Sequence, residues 1–234
     1  MEQDSLCWDS GPALTMKLLL LTCAAALVSS LVGGEQREGL LEESLVFPEN
    51  TQSDHVVVEP QMQTDLSDLT LCVRYNTELR TRHVLVSYKS QELALSREND
   101  TTIKVSIGSK ELLFRLPPSL WGWVHLCVTR AMKEQLVGLY VNGEPASRKV
   151  LEGSQPVTAG GKLILGHEEG VVGKEQNFVG ELLDVNLWDR LLAPRTIRNL
   201  YRGDSSPQGN VIGWLTARVD TSGKVTAQKS TRTQ

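Results

Sequence analysis

Residues 123–144 read WVHLCVTRAMKEQLVGLYVNGE. Val124–Thr129 and Leu136–Val141 are short runs of apolar and β-branched residues, the composition of buried or half-buried strands. Asn142-Gly143 closes the second run, and both residue types tolerate the positive φ that a tight hairpin needs. The stretch reads as two strands and a turn. Outward from it the pattern repeats over His55–Val58, Asp68–Arg74, His83–Tyr88, Ile103–Ile107, Leu112–Leu116, Lys162–Leu165 and Leu182–Trp188, with turn signals such as Gly160-Gly161 between them. Strands at this spacing predict an all-β, two-sheet antiparallel sandwich or jelly roll. One segment differs. Ala193-Pro194 followed by RTIRNLYRG sets Ile197, Leu200 and Tyr201 at helical spacing, with Pro at the start and Gly203 at the stop. It predicts one short helix near 194–202 laid on the sandwich. Trp188 and Trp214 read as core, and the polar tail is expected to be loose from about 225.

The chain has 234 residues, 24 Lys+Arg against 28 Asp+Glu, and 40% hydrophobic content. A net charge of −4 with mixed signs excludes the basic stripe that nucleic acid demands. The run Leu18–Val32 follows Met16-Lys17 and ends in Gly33-Gly34, the parts of a secretory signal peptide. At 15 residues it is shorter than a bilayer span requires, and no membrane span is expected. Residues 1–34 are therefore expected to be a leader whose translation starts at Met16, and residues 35–234 a single secreted domain. Cleavage near Gly34 takes Cys7 and Cys23 away and leaves Cys72 and Cys127, which in a secreted domain most often make one bridge. Asn99-Asp100-Thr101 is a glycosylation sequon, with Asn99 as acceptor.

The segments SLVFPENTQSDHVVVEP, DLTLCVRYNTELR with VLVSYKS, WVHLCVTRA, KLILGHEE, QNFVGELLDVNLWDRLLAP and NVIGW follow one another in this chain. Together they resemble the short pentraxins over about residues 44–216. The family signature His-x-Cys-x-Ser/Thr-Trp stands here as His125-Leu126-Cys127-Val128-Thr129, with Arg130 in place of the closing Trp. The resemblance implies a two-sheet jelly roll with one helix, a Cys72–Cys127 disulfide, cyclic homo-oligomers (usually pentamers) and calcium-dependent ligand binding.

Calcium takes six to eight oxygens, and carboxylates supply most of the affinity. By the resemblance these come from a turn after the SY motif and from the loop Glu168-Glu169-Gly170-Val171-Val172-Gly173-Lys174-Glu175-Gln176. Glu168 falls on the bridging glutamate, Glu169 on the carbonyl donor, Glu175 on the later glutamate and Gln176 on the closing glutamine. Gln91 falls on the asparagine of the turn. Two carboxylates of the family pattern are missing: Gly170 replaces one aspartate and Ser90 the other. Lys89 and Lys174 are expected to add positive charge near the cation. Glu111 falls where the family places the acid that faces a choline ammonium, but Ser96 replaces the aromatic that packs on its methyl groups. A serine cannot supply that apolar surface. Glu111 alone reads as a solvated rim charge.

His167, beside the Glu pair, has no second histidine at helical spacing, so a zinc-protease reading fails. Adjacent Glu168 and Glu169 on an extended chain face opposite sides, and no glycosidase or Gly-x-Ser-x-Gly pattern occurs. The chain is therefore expected to be no enzyme. The expected function is that of a secreted innate-immune recognition protein with weakened calcium-dependent binding of extracellular ligands. The alternative is a calcium-independent structural or interaction pentraxin that has lost the metal site, with Arg195, Arg198 and Arg202 offering a partner surface.

Overall fold

The two strands read over residues 123–144 are neighbours in one of two antiparallel sheets. The computed structural model describes residues 36–90, 92–117, 122–168 and 177–231. The leader expected over residues 1–34 lies outside them. In chain order the strands are β1 (Gln36–Glu38), β2 (Glu43–Phe47), β3 (His55–Glu59), β4 (Leu69–Asn76), β5 (His83–Tyr88), β6 (Leu93–Asn99), β7 (Thr102–Ile107) and β8 (Lys110–Arg115). There follow β9 (Val124–Ala131), β10 (Leu136–Val141), β11 (Glu144–Val150), β12 (Leu163–Leu165), β13 (Gly180–Trp188), the helix α1 (Pro194–Tyr201), β14 (Arg218–Ser222) and β15 (Thr226–Lys229). The first sheet has the order β1-β14-β3-β12-β5-β6-β7-β8, and the second β11-β10-β9-β4-β13-β2-β15. The chain crosses between the sheets at each connection from β1 to β5, from β8 to β9 and from β11 to β15, and forms consecutive hairpins over β5–β8 and β9–β11, the two-sheet jelly roll the strand pattern predicts.

Alternate side chains of both sheets fill the core. Leu71, Val73, Leu85, Leu95, Leu126 and Leu187 are fully buried, as are the rings of Phe114 and Phe178. β4 and β9 are buried on both faces because their outer face lies under α1. There Cys72, Cys127, Tyr140 and Trp188 pack with Ile197 and Leu200 of the helix. That double coverage explains why LTLCVRY and VHLCVTR read as nearly unbroken apolar runs. β11 has no such cover, and all seven of its residues are exposed.

The predicted hairpin turn is present. Asn142 and Gly143 adopt φ of 49° and 81°, and the turn is tucked against the helix, where a Cβ on Gly143 would lie 3.1 Å from Arg198 Cα. Arg198 grips the hairpin through Glu144 at 2.7 and 2.8 Å. The helix starts at Pro194 as the sequence predicts, with no side-chain cap on Ala193.

The C-terminal tail corrects the expectation of looseness from about 225. Thr226–Lys229 forms β15 and pairs with β2, Thr226 opposite Val46 and Lys229 opposite Glu43. Backbone hydrogen bonds, not apolar side chains, hold this edge strand, so its polar composition hides it. Val225, buried just ahead of it, is its apolar anchor.

The signature's departure also has a structural account. Arg130 is 1% exposed and donates to the Leu66 carbonyl at 3.1 Å, Ser154 Oγ at 2.9 Å and the Gln155 carbonyl at 2.7 Å. It ties the 151–157 segment to the chain entering β4.

Candidate functional site

The two stretches expected to share calcium both belong to the eight-stranded sheet. β12 runs antiparallel to β5 with Leu163 opposite Tyr88 and Leu165 opposite Val86. The 89–92 turn therefore sits beside the start of β12, while His167 and Glu168 continue past its end. By register the stretches leave β5 at opposite ends.

The turn is tight. Lys89 and Ser90 have φ of 47° and 46°, a pair of left-handed residues that closes the β5–β6 connection in little chain. Lys89, expected near a cation, is engaged elsewhere: its ammonium donates to Thr158 Oγ1 and to the Ala159 carbonyl, and lies 3.3 Å from Glu92 Oε1. Glu92 in turn accepts from the Thr158 N–H at 2.8 Å and its hydroxyl at 2.9 Å. Desolvation pushes the Glu92 carboxyl up, but the Thr158 hydrogen bonds and the Lys89 charge outweigh it and hold it below its ordinary value. The turn is thus fastened to the 158–161 loop.

Glu168 is 8% exposed, and its carboxylate accepts no hydrogen bond and meets no cation among the described residues. Glu169, Glu175, Gln176 and Gln91 lie outside the described residues. Of the expected donor set, Gly170 brings no side-chain oxygen and Ser90 no carboxylate, so the sequence supplies two fewer charged ligands than the family pattern.

Other positions resolve more simply. Cys72, Cys127 and His125 bring their ligand atoms within 4.8 Å of one another. The sulfurs, however, are joined as the Cys72–Cys127 disulfide, directly opposite each other on β4 and β9, and offer no thiolate to a metal. Glu111 stands on the edge strand β8 and pairs with Lys104 at 3.0 Å, its side chain 59% exposed. Ser96 is buried on β6 and donates to Glu98 at 3.2 Å. Asn99 is exposed at the end of β6. Its Oδ1 accepts from the Thr101 N–H at 3.0 Å and lies 3.2 Å from the Thr101 hydroxyl, a local turn within the sequon.

On the helix side a cleft of about 330 Å³ opens between α1 and the seven-stranded sheet, with His125, Asp184, Trp188 and Asp204 in its lining. Sequence reasoning did not find it, because its residues come from strands and loops distant in the chain. Among the described residues no helix is long and apolar enough to cross a membrane.

Comparison with known proteins places this geometry. The Pentaxin family matches residues 43–229. Serum amyloid P-component of Cavia porcellus is 31% identical over 177 residues, covering 72% of this chain and 79% of the relative. C-reactive protein of Sus scrofa is 28% identical over 88% of this chain and 95% of its own. Among solved structures, the native heptameric SAP-like pentraxin of Limulus polyphemus aligns with a TM-score of 0.69 at 20% identity. The alignment covers 81% of this chain and 95% of that one, a likeness of fold. With a family match across most of its length and a jelly roll carrying one helix on its seven-stranded sheet, the chain belongs to the pentraxin family.

Proposed function

We propose that this chain is a secreted recognition pentraxin of innate-immune type. It binds extracellular ligands as a ring of identical copies, and its calcium dependence is weakened relative to the family pattern. It acts by binding and not by catalysis. The observation that carries the reading is Glu168, a buried residue with no hydrogen-bond or ion-pair partner among the described residues, at the start of the segment the resemblance assigns to calcium. Gly170 and Ser90 account for the weakening, since each replaces a carboxylate by a residue with no charge. The assembly follows from family membership, the Limulus relative being a heptamer. Secretion is supported by the serum relatives, the leader pattern, the disulfide and the exposed Asn99 turn.

Calorimetric titration of the chain from Glu35 with calcium tests the reading. Heat corresponding to a dissociation constant of roughly 10⁻⁴–10⁻³ M, lost in Glu168→Ala, supports it. No heat and no change in melting temperature at several millimolar calcium would overturn it. The second reading, a calcium-independent interaction pentraxin, rests on the Lys89–Glu92–Thr158 fastening, which turns the Lys89 and Glu92 side chains toward protein rather than toward an ion.

A further inference from the structure

The chain has four histidines, and two of them, His83 and His125, are buried at 0% and 2% exposure. The other two, His55 and His167, are half-buried, and their rings lie 6.0 Å apart between centroids with a 44° tilt. They are 112 positions apart in the chain, at the ends of neighbouring strands. β12 pairs antiparallel with β3, Leu165 opposite Val56, so the residues leaving β12 run alongside the start of β3, where His55 stands. The second histidine that the HEEG segment lacks in sequence is supplied by the fold.

The tautomers are set by the neighbours. His55 Nδ1 lies 3.0 Å from the Ser53 carbonyl oxygen, and His167 Nδ1 lies 2.9 Å from Asn177 Oδ1. Both partners are acceptors, so each Nδ1 carries the proton and each Nε2 keeps its lone pair. No hydrogen bond reaches either Nε2 among the described residues. This is the arrangement of a metal-ligating histidine: the outer N–H, given to a carbonyl, fixes the ring and raises the basicity of the other nitrogen. Asn177 is itself 1% exposed, and its buried Nδ2 makes no hydrogen bond among the described residues, so His167 is the partner its side chain has there.

The spacing is close to what one ion requires. Two imidazoles bound at tetrahedral angle by Zn–N bonds of about 2.0–2.1 Å hold their ring centres about 5 Å apart. A closure of about 1 Å from the observed separation is within the reach of modest side-chain rotation. Imidazole pairs suit zinc, copper and nickel, whereas calcium prefers oxygen.

We propose that His55 and His167 form a two-imidazole site for a borderline divalent transition-metal ion of the Zn²⁺ class, with water completing its shell and Asn177 positioning His167. The site ties the exit of β12 to the start of β3, and it is separate in chemistry from an oxygen-lined calcium site.

The test is calorimetric titration of the metal-stripped chain from Glu35 with Zn²⁺, in buffer containing millimolar calcium so that oxygen sites are already occupied. The wild type is expected to bind one Zn²⁺ per protomer. His55→Gln and His167→Gln are each expected to lose at least tenfold in affinity, and Asn177→Ala about tenfold. Co²⁺ absorption bands, present in the wild type and lost in both histidine variants, give a reading independent of heat. Unchanged melting temperatures of the metal-free variants show that they fold. Absence of saturable Zn²⁺ binding by the wild type would overturn the proposal, and so would binding undiminished in both folded histidine variants.

Discussion

The guanidinium of Arg74 donates through Nε to Asp184 Oδ2 at 2.7 Å, linking β4 to the irregularity in β13 between Leu183 and Asn186. Its second arm donates to the Leu200 and Tyr201 carbonyls, the last turn of α1. One buried cation thus satisfies an acid at a residue held at φ 53° and the electronegative end of the only helix among the described residues. Arg74→Met is expected to cost roughly 3 kcal/mol, because the helix carbonyls lose a charged donor beneath the helix. Denaturant unfolding checks the loss, and hydrogen exchange should show faster opening over residues 194–201 than in the opposite sheet.

Arg130 stands where the family signature carries Trp, and it donates three hydrogen bonds, to Leu66, Ser154 and Gln155. Arg130→Ala removes both the charge and the donors to the Leu66 and Gln155 carbonyls. A destabilisation of about 2–4 kcal/mol is expected, measured as a fall in the denaturant midpoint at unchanged slope.

Gly143 has φ 81°, and a Cβ there would lie 3.0 Å from Tyr201 Cβ. Gly143→Ala combines a left-handed alanine with a clash against α1, and a loss of about 1–3 kcal/mol is expected. The variant Asn142→Gly keeps the turn's backbone freedom and the helix contact but removes the Oδ1 that accepts the His125 N–H at 2.9 Å, so thermal melting should show a loss of about 1 kcal/mol from that bond alone.

His83 is buried, and burial together with the nearby Arg97 charge lowers its pKa from 6.5 to about 4, against a smaller upward pull from the Thr81 carbonyl. The unfolded chain binds this proton more readily than the folded one. Stability is therefore full above pH 6.5 and falls as the pH drops from 6.5 toward 4, by about 3 kcal/mol from this group. Denaturant midpoints of wild type and His83→Leu across pH 4–7.5 check this, since the variant should lose that part of the slope.

The strands and the helix were legible because their side chains announce themselves. VHLCVTRA and LVGLYVNG carry apolar faces and a turn dipeptide, and Pro194 with Ile197 and Leu200 marks the helix. β1, β2, β6 and β14 were not read as strands, and neither were the edge strands β15 and β11. The stabilisation of β15 and β11 is backbone pairing at a sheet edge, which leaves polar residues free on both sides. The disulfide was legible from two remaining cysteines. The fate of the calcium turn was not, because Lys89 and Glu92 find their partners in Thr158 and Ala159, contacts set by the packing of a distant loop. The pairing of His55 with His167 was hidden for the same reason: it depends on the β3–β12 register.

The central claim is that this pentraxin keeps a calcium response which missing carboxylates have weakened. The most direct measurement is the calcium affinity of the wild type, Glu168→Ala and Gly170→Asp, titrated side by side by calorimetry. The account predicts weak binding by the wild type, none by Glu168→Ala, and affinity at least tenfold tighter for Gly170→Asp, which restores a carboxylate to the set. Equal affinities in all three proteins, or no binding by the folded Gly170→Asp variant, would contradict it.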